Sequence, residues 1–163
     1  MKPFDDYPGE GKELLGKLRK NWNCRHGYGI DLLRRTGHQR CAYCGVNLVD
    51  DYYHWLLLCV DHVVPIAEAK KLGVPDDFIT DMINLVFCCI GCNGFGNRFD
   101  FSTVKAREKW TVKEFVKLRD KVFAQRMIGI GERRVEEMHY FDSRPWLPTG
   151  YPRAVTLDRT FYP

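Results

Sequence analysis

Apolar positions change their period along the chain, and each change suggests an element. Residues 54–60 (His54-Trp55-Leu56-Leu57-Leu58-Cys59-Val60) form a short apolar run suited to a buried strand. Val63 and Val64 continue it until Pro65, which lacks a ladder donor and ends or bends the strand. Residues 66–72 predict a brief helix closed by Gly73 and Pro75, and Leu85-Val86-Phe87 leads into Cys88-Cys89-Ile90-Gly91-Cys92-Asn93, near which a further helix starts. Val112, Phe115, Val116, Val122, Phe123 and Met127 share one stripe of a 3.6-residue period, with Lys113, Lys117 and Lys121 largely off it. Gly129 and Gly131 are expected to interrupt that helix, with a second over residues 132–141 and an extended tail from Pro145. Upstream, residues 10–20 and 30–35 read as short basic helices separated by Gly27 and Gly29. The sum is an α+β chain.

The 163 residues fit one domain, with 45% hydrophobic and 13% aromatic positions. No run approaches the roughly 18 apolar residues of a membrane span, and Met1-Lys2-Pro3-Phe4-Asp5-Asp6 lacks the apolar stretch of a secretion signal. A cytoplasmic protein without a membrane partner is expected, in which the seven cysteines stay reduced and point to metal or catalysis. The net charge of +4 is unevenly spread: Lys/Arg against Asp/Glu stand at nine to five in residues 1–40, three to eight in 41–100 and thirteen to eight in 101–163. An acidic centre between basic flanks fits a centre that holds cations and flanks that meet phosphates. Solvated helix faces give the same pattern.

Cys41-x-x-Cys44 and Cys89-x-x-Cys92 are two knuckles, each presenting two thiolates from one tight turn. Together they complete a tetrahedron around Zn²⁺ and leave no open position, so the site is structural. Cys88 could replace Cys89, at a less usual spacing to Cys92. Cys24 and Cys59 have no partner spacing and read as core or surface thiols. Between the knuckles, Asp61 supplies a hard oxygen of the kind Mg²⁺ takes, and His62 can take a proton from water near neutral pH.

The pattern Cys41-x2-Cys44, Asp61-His62-Val63-Val64-Pro65, Asn84-Leu85, Cys89-x2-Cys92-Asn93 resembles that of the HNH endonucleases, found among homing, restriction, phage and colicin-type nucleases. The resemblance covers residues 38–98. It implies a ββα-metal (His-Me finger) core over 38–104 with a four-cysteine zinc site, while charge and periodicity give a basic helical flank over 1–37 and a helical extension over 105–163. By resemblance, His62 is the general base, and Asp61 binds the catalytic ion. Asn84 holds the loop and orients the histidine ring, while Asn93 is the second protein ligand to the ion. The chain is thus an H-N-N variant, and an amide oxygen at the last position favours Mg²⁺ or Mn²⁺.

The expected function is hydrolysis of phosphodiester bonds in DNA, with RNA or single strands as alternative substrates and a non-catalytic zinc module that binds nucleic acid as the competing reading. Arg40, Lys105, Arg107 and Arg98 are the candidate phosphate contacts, with Arg34, Arg35, Lys109, Lys113 and Lys117 as further flanking charges. Arg98 is equally a solvated arginine, and Asn97 either touches the ion or phosphate or bonds within the fold. His26, His38, His54 and His139 read as surface or structural. A single site cuts one strand per engagement, so double-strand cutting would favour a homodimer.

Overall fold

Two strands, β1 (Leu58–His62) and β2 (Leu85–Cys89), pair antiparallel with Leu58 opposite Cys89 and His62 opposite Leu85. In this computed structural model residues 3–18, 24–96 and 98–143 are described. The Cys24 side chain, Asn97 and the expected extended tail lie outside the described residues. Helix α1 (Ile30–Thr36) continues a wider-wound helical segment, Cys24–Gly29, that packs along β1. The short helices α2 (Tyr52–Leu56), α3 (Ile66–Lys71) and α4 (Asp76–Ile79) follow. Strand β2 runs directly into α5 (Ile90–Gly94), which packs on both strands. Helix α6 (Val112–Ser143) completes the described chain. The architecture is mixed helix and strand, and none of the described helices is long and apolar enough to cross a membrane.

The apolar run 54–60 divides between two elements, which corrects the expectation of a strand throughout. Asp51 accepts from the backbone N–H groups of Tyr53 (2.8 Å) and His54 (2.9 Å), an N-cap that turns Tyr52–Leu56 into a helix. The strand starts only at Leu58 and ends at His62, before Val63 and Val64. The helices at 30–35 and 66–72 form close to their expected limits.

The expected helix over 10–20 is absent from its described part. Pro3–Asp6 and Pro8–Gly11 form tight helical turns instead, after which the chain lies extended against Asp81. The buried Asp81 carboxylate accepts from the backbone N–H groups of Leu15 (3.0 Å), Gly16 (2.8 Å) and Ile83 (2.9 Å). A buried acceptor that satisfies three orphan donors outweighs weak local helix propensity.

Helix α6 is continuous through Gly129 and Gly131, which corrects the expected break. A helix-interior glycine costs about 1 kcal/mol relative to alanine but removes no backbone hydrogen bond. At Gly129 a Cβ would lie 3.3 Å from Cδ of Arg98, so the missing side chain makes room for that arginine. The buried face also differs from the expected stripe: Met127 is exposed, whereas Arg119 and Arg126 are buried between Phe115, Val122, Phe123 and Ile130. Arg119 donates to the carbonyls of Gly11 (2.7 Å) and Ile83 (2.9 Å) and to Asp120, and its guanidinium lies 3.7 Å from the ring centroid of Phe4. One satisfied buried arginine thereby joins α6, the N-terminal turns and the segment before β2.

Candidate metal centre and candidate active site

The four knuckle cysteines converge. Sγ atoms of Cys41, Cys44, Cys89 and Cys92 all lie within 4.8 Å of one another, and those of Cys44 and Cys89 are 3.8 Å apart. A tetrahedral ion with Zn–S bonds of about 2.3 Å requires Sγ–Sγ edges of about 3.8 Å. The cluster can therefore hold a metal ion such as zinc. Local structure explains the convergence. Gly45, in the left-handed region (φ 76°), closes the first knuckle by donating to the Cys41 carbonyl at 2.8 Å. Ala42 N–H bonds to the Phe87 carbonyl at 2.8 Å and pins that knuckle to β2. Cys89 caps α5, its sulfur accepting from Cys92 N–H at 3.4 Å.

The choice between Cys88 and Cys89 is decided by the pleat. Alternate strand residues face opposite ways, so with Cys89 in the cluster, Cys88 turns into the core, fully buried and opposite Cys59 across the strand pair. Burial pushes the Cys88 thiol well up. Among the cluster thiols, a hydrogen bond from Cys41 holds Cys44 down to about 7.

Asp61 and His62 end β1. The Asp61 carboxylate is nearly buried and accepts at Oδ2 from Tyr43 Oη (2.5 Å) and Arg126 Nη1 (2.8 Å). Burial pushes its carboxyl up, against the opposing pull of Arg126 and Tyr43. Arg126 Nη2 reaches Asn93 Oδ1 at 3.4 Å, so one guanidinium spans the acidic strand residue and the asparagine of α5. That guanidinium also lies 4.9 Å from the centroid of the Tyr43 ring. His62 is half-buried beside this group, and desolvation pulls its imidazole below the ordinary 6.5 although Asp61 opposes the shift. The neutral, proton-accepting form therefore prevails at pH 7.

Asn84 is fully buried, and each of its groups is used. Its Nδ2 donates to the carbonyls of Val64 (3.0 Å) and Ile79 (2.9 Å), its Oδ1 accepts from Val64 N–H (2.9 Å), and its carbonyl accepts from Val63 N–H (2.9 Å). The amide thus clamps the chain immediately after His62. These bonds go to the backbone, so any constraint on the His62 ring comes through the chain it belongs to.

The expected phosphate contacts lie apart from one another in their bonding. Arg40 donates to the Gly45 carbonyl at the first knuckle (3.0 Å). Arg98, exposed after α5, pairs with Glu132 at 3.4 Å. Arg107 pairs with Glu114, lies 5.1 Å over the Trp110 ring, and its N–H bonds to the Leu72 carbonyl (3.1 Å). Lys105 is exposed. The other histidines sit elsewhere: His54 pairs with Asp51 (2.8 Å), His38 with Asp6 (3.3 Å), His26 stacks on Trp55, and His139 is exposed on α6.

Tyr43 and Arg126 are the residues that sequence reading missed. Tyr43 sits inside a knuckle chosen for its cysteines. Arg126 carries a findable signal, a charge three residues after Phe123 and four before Ile130 on an apolar stripe. Asp61 and Asn93 carry oxygens of the donor type that Mg²⁺ takes, and both oxygens are engaged by the Arg126 guanidinium. Compared with family models, curated proteins and solved structures, the chain matches none.

Proposed function

We propose that the protein is a metal-dependent endonuclease of the HNH type, hydrolysing phosphodiester bonds in DNA. The observation that carries this reading is the Asp61–Arg126–Asn93 bridge: two oxygens implied as ion ligands share one buried cation, at the strand position that precedes His62. The order β1, β2, α5, with the four-cysteine cluster at its edge, supports a ββα-metal core stapled by structural zinc.

In this reading Asp61 and Asn93 would hold Mg²⁺ or Mn²⁺, which supplies charge stabilisation at the phosphate and the leaving oxygen. His62 accepts a proton from the water whose oxygen bonds to phosphorus as the bond to the leaving sugar oxygen breaks. Its lowered proton affinity keeps the ring ready at neutral pH. Asn84 fixes the chain behind it, and Tyr43 fixes Asp61. General base catalysis of this kind contributes about 10²–10⁴-fold. Arg98 and Arg40 flank α5 and the first knuckle, where they can meet phosphates, and Lys105 adds charge. The committed pairing of Arg107 with Glu114 and Trp110 makes it the weakest of the four.

The pairing of Asp61 with Arg126 also favours a second reading, a zinc-stapled nucleic-acid-binding module without catalysis. Supercoiled DNA, single-stranded DNA and RNA, each incubated with zinc-loaded protein and Mg²⁺ or Mn²⁺, separate the two. Nicking of supercoiled DNA is the expected result, preferential loss of another substrate redirects the assignment, and binding without cleavage under every divalent ion establishes the module.

A further inference from the structure

Two arginines, seven residues apart on the buried face of α6, differ in how they are held. Arg119 makes four donor bonds of 2.7–3.0 Å, to two carbonyls and to Asp120. Arg126 is 4% exposed, yet its Nε is buried with no hydrogen-bond partner among the described residues. Its other contacts are the 2.8 Å pair with Asp61, the long 3.4 Å bond to Asn93, and the Tyr43 ring. Every N–H-bearing nitrogen of Arg119 has a partner, in two main-chain carbonyls and the carboxylate of Asp120, its neighbour on the same helix. Arg126 is bound chiefly by a carboxylate and an amide oxygen, the donor types a hard divalent ion takes. The Tyr43 face offers its guanidinium a neighbouring place to rest.

We infer that Arg126 is a tethered cation that occupies the Asp61–Asn93 site until a divalent ion displaces it, and so sets the protein's affinity for that ion. The inference rests on the reading of Asp61 and Asn93 as the ion's ligands. Without the guanidinium, Asp61 would face a buried site uncompensated, a costly state. With it, the two oxygens are held near one another before any ion arrives. The same positive charge opposes a dication at close range, so binding is weaker than the donor set alone would give. The consequence is a threshold: the site fills only at divalent-ion concentrations high enough to expel Arg126.

Zinc-loaded full-length protein would be titrated with Mn²⁺, with free Mn²⁺ followed by its paramagnetic resonance signal, which requires no cleavage. Arg126→Gln is expected to bind one Mn²⁺ about tenfold or more tighter than wild type, since a like charge has left the site. Arg126→Lys, which keeps the charge, is expected to stay nearer wild type, and Asp61→Asn to lose the site. Zinc content equal to wild type checks that each variant folds. Should Arg126→Gln fail that check, ¹⁵N spectra of arginine side chains in the wild type provide the test: saturating Mg²⁺ is expected to shift the Arg126 Nε signal and leave that of Arg119 unmoved. Equal or weaker Mn²⁺ binding by Arg126→Gln, or an Arg126 signal indifferent to Mg²⁺, would overturn the inference while Asp61→Asn still marks the ligand pair. Equal Mn²⁺ binding by wild type, Arg126→Gln and Asp61→Asn would overturn the ligand pair as well.

Discussion

Tyr43, which lies between the two cysteines of the first knuckle, donates a 2.5 Å hydrogen bond to the carboxylate of Asp61 at the end of β1. The thiolate cluster and the candidate active site therefore share a strut, and folding of one positions the other. The strut has packing support: the Tyr43 ring stacks on Phe123 of α6 at 5.5 Å, and Arg126 approaches its face.

Tyr43→Phe keeps that stack and deletes the donor. A buried carboxylate that loses one of two donors should cost about 1–2 kcal/mol of stability, read as a lower urea midpoint at unchanged denaturant sensitivity. Zinc content should not change, because the phenol touches no sulfur ligand. An unaltered midpoint would mean that the bond carries no stability.

The two adjacent cysteines of β2 should behave oppositely. Cys89→Ala removes a cluster ligand and should leave purified protein without stoichiometric zinc. Cys88→Ala removes a core thiol that faces away from the cluster and should retain one zinc per chain. Metal analysis after gel filtration reads both. Zinc lost from Cys88→Ala and kept by Cys89→Ala would reverse the assignment.

Glycines test the continuity of α6. A Cβ at Gly131 meets nothing within 4 Å, so Gly131→Ala should stabilise by about 0.5–1 kcal/mol. Gly129→Ala should gain less, because its Cβ presses on Cδ of Arg98 at 3.3 Å. Thermal unfolding of the two variants compares them directly, and destabilisation by Gly131→Ala would show that the helix breaks there after all.

What the sequence made legible was local chemistry. The knuckle spacings predict the four-sulfur cluster because two residues between cysteines suffice to turn both thiols one way. Asn84 was singled out only through the family resemblance, and the carbonyls it binds, of Val64 and Ile79, depend on α4 and the loop after β1. The division of residues 54–60 was not read, because the capping carboxylate of Asp51 lies outside the apolar run that it breaks. Arg126 escaped for a different reason. Its partners are 65 and 33 residues away, and a charged position on an apolar stripe reads as an irregularity until the carboxylate opposite it is known.

The most direct measurement compares wild type with His62→Ala in cleavage of supercoiled plasmid under Mg²⁺ and Mn²⁺, at equal zinc content. Loss of the proton acceptor should lower the rate by about 10²-fold or more, with DNA binding retained. Cleavage by His62→Ala at the wild-type rate would contradict the role given to His62, and with it the reading of this strand end as an active site.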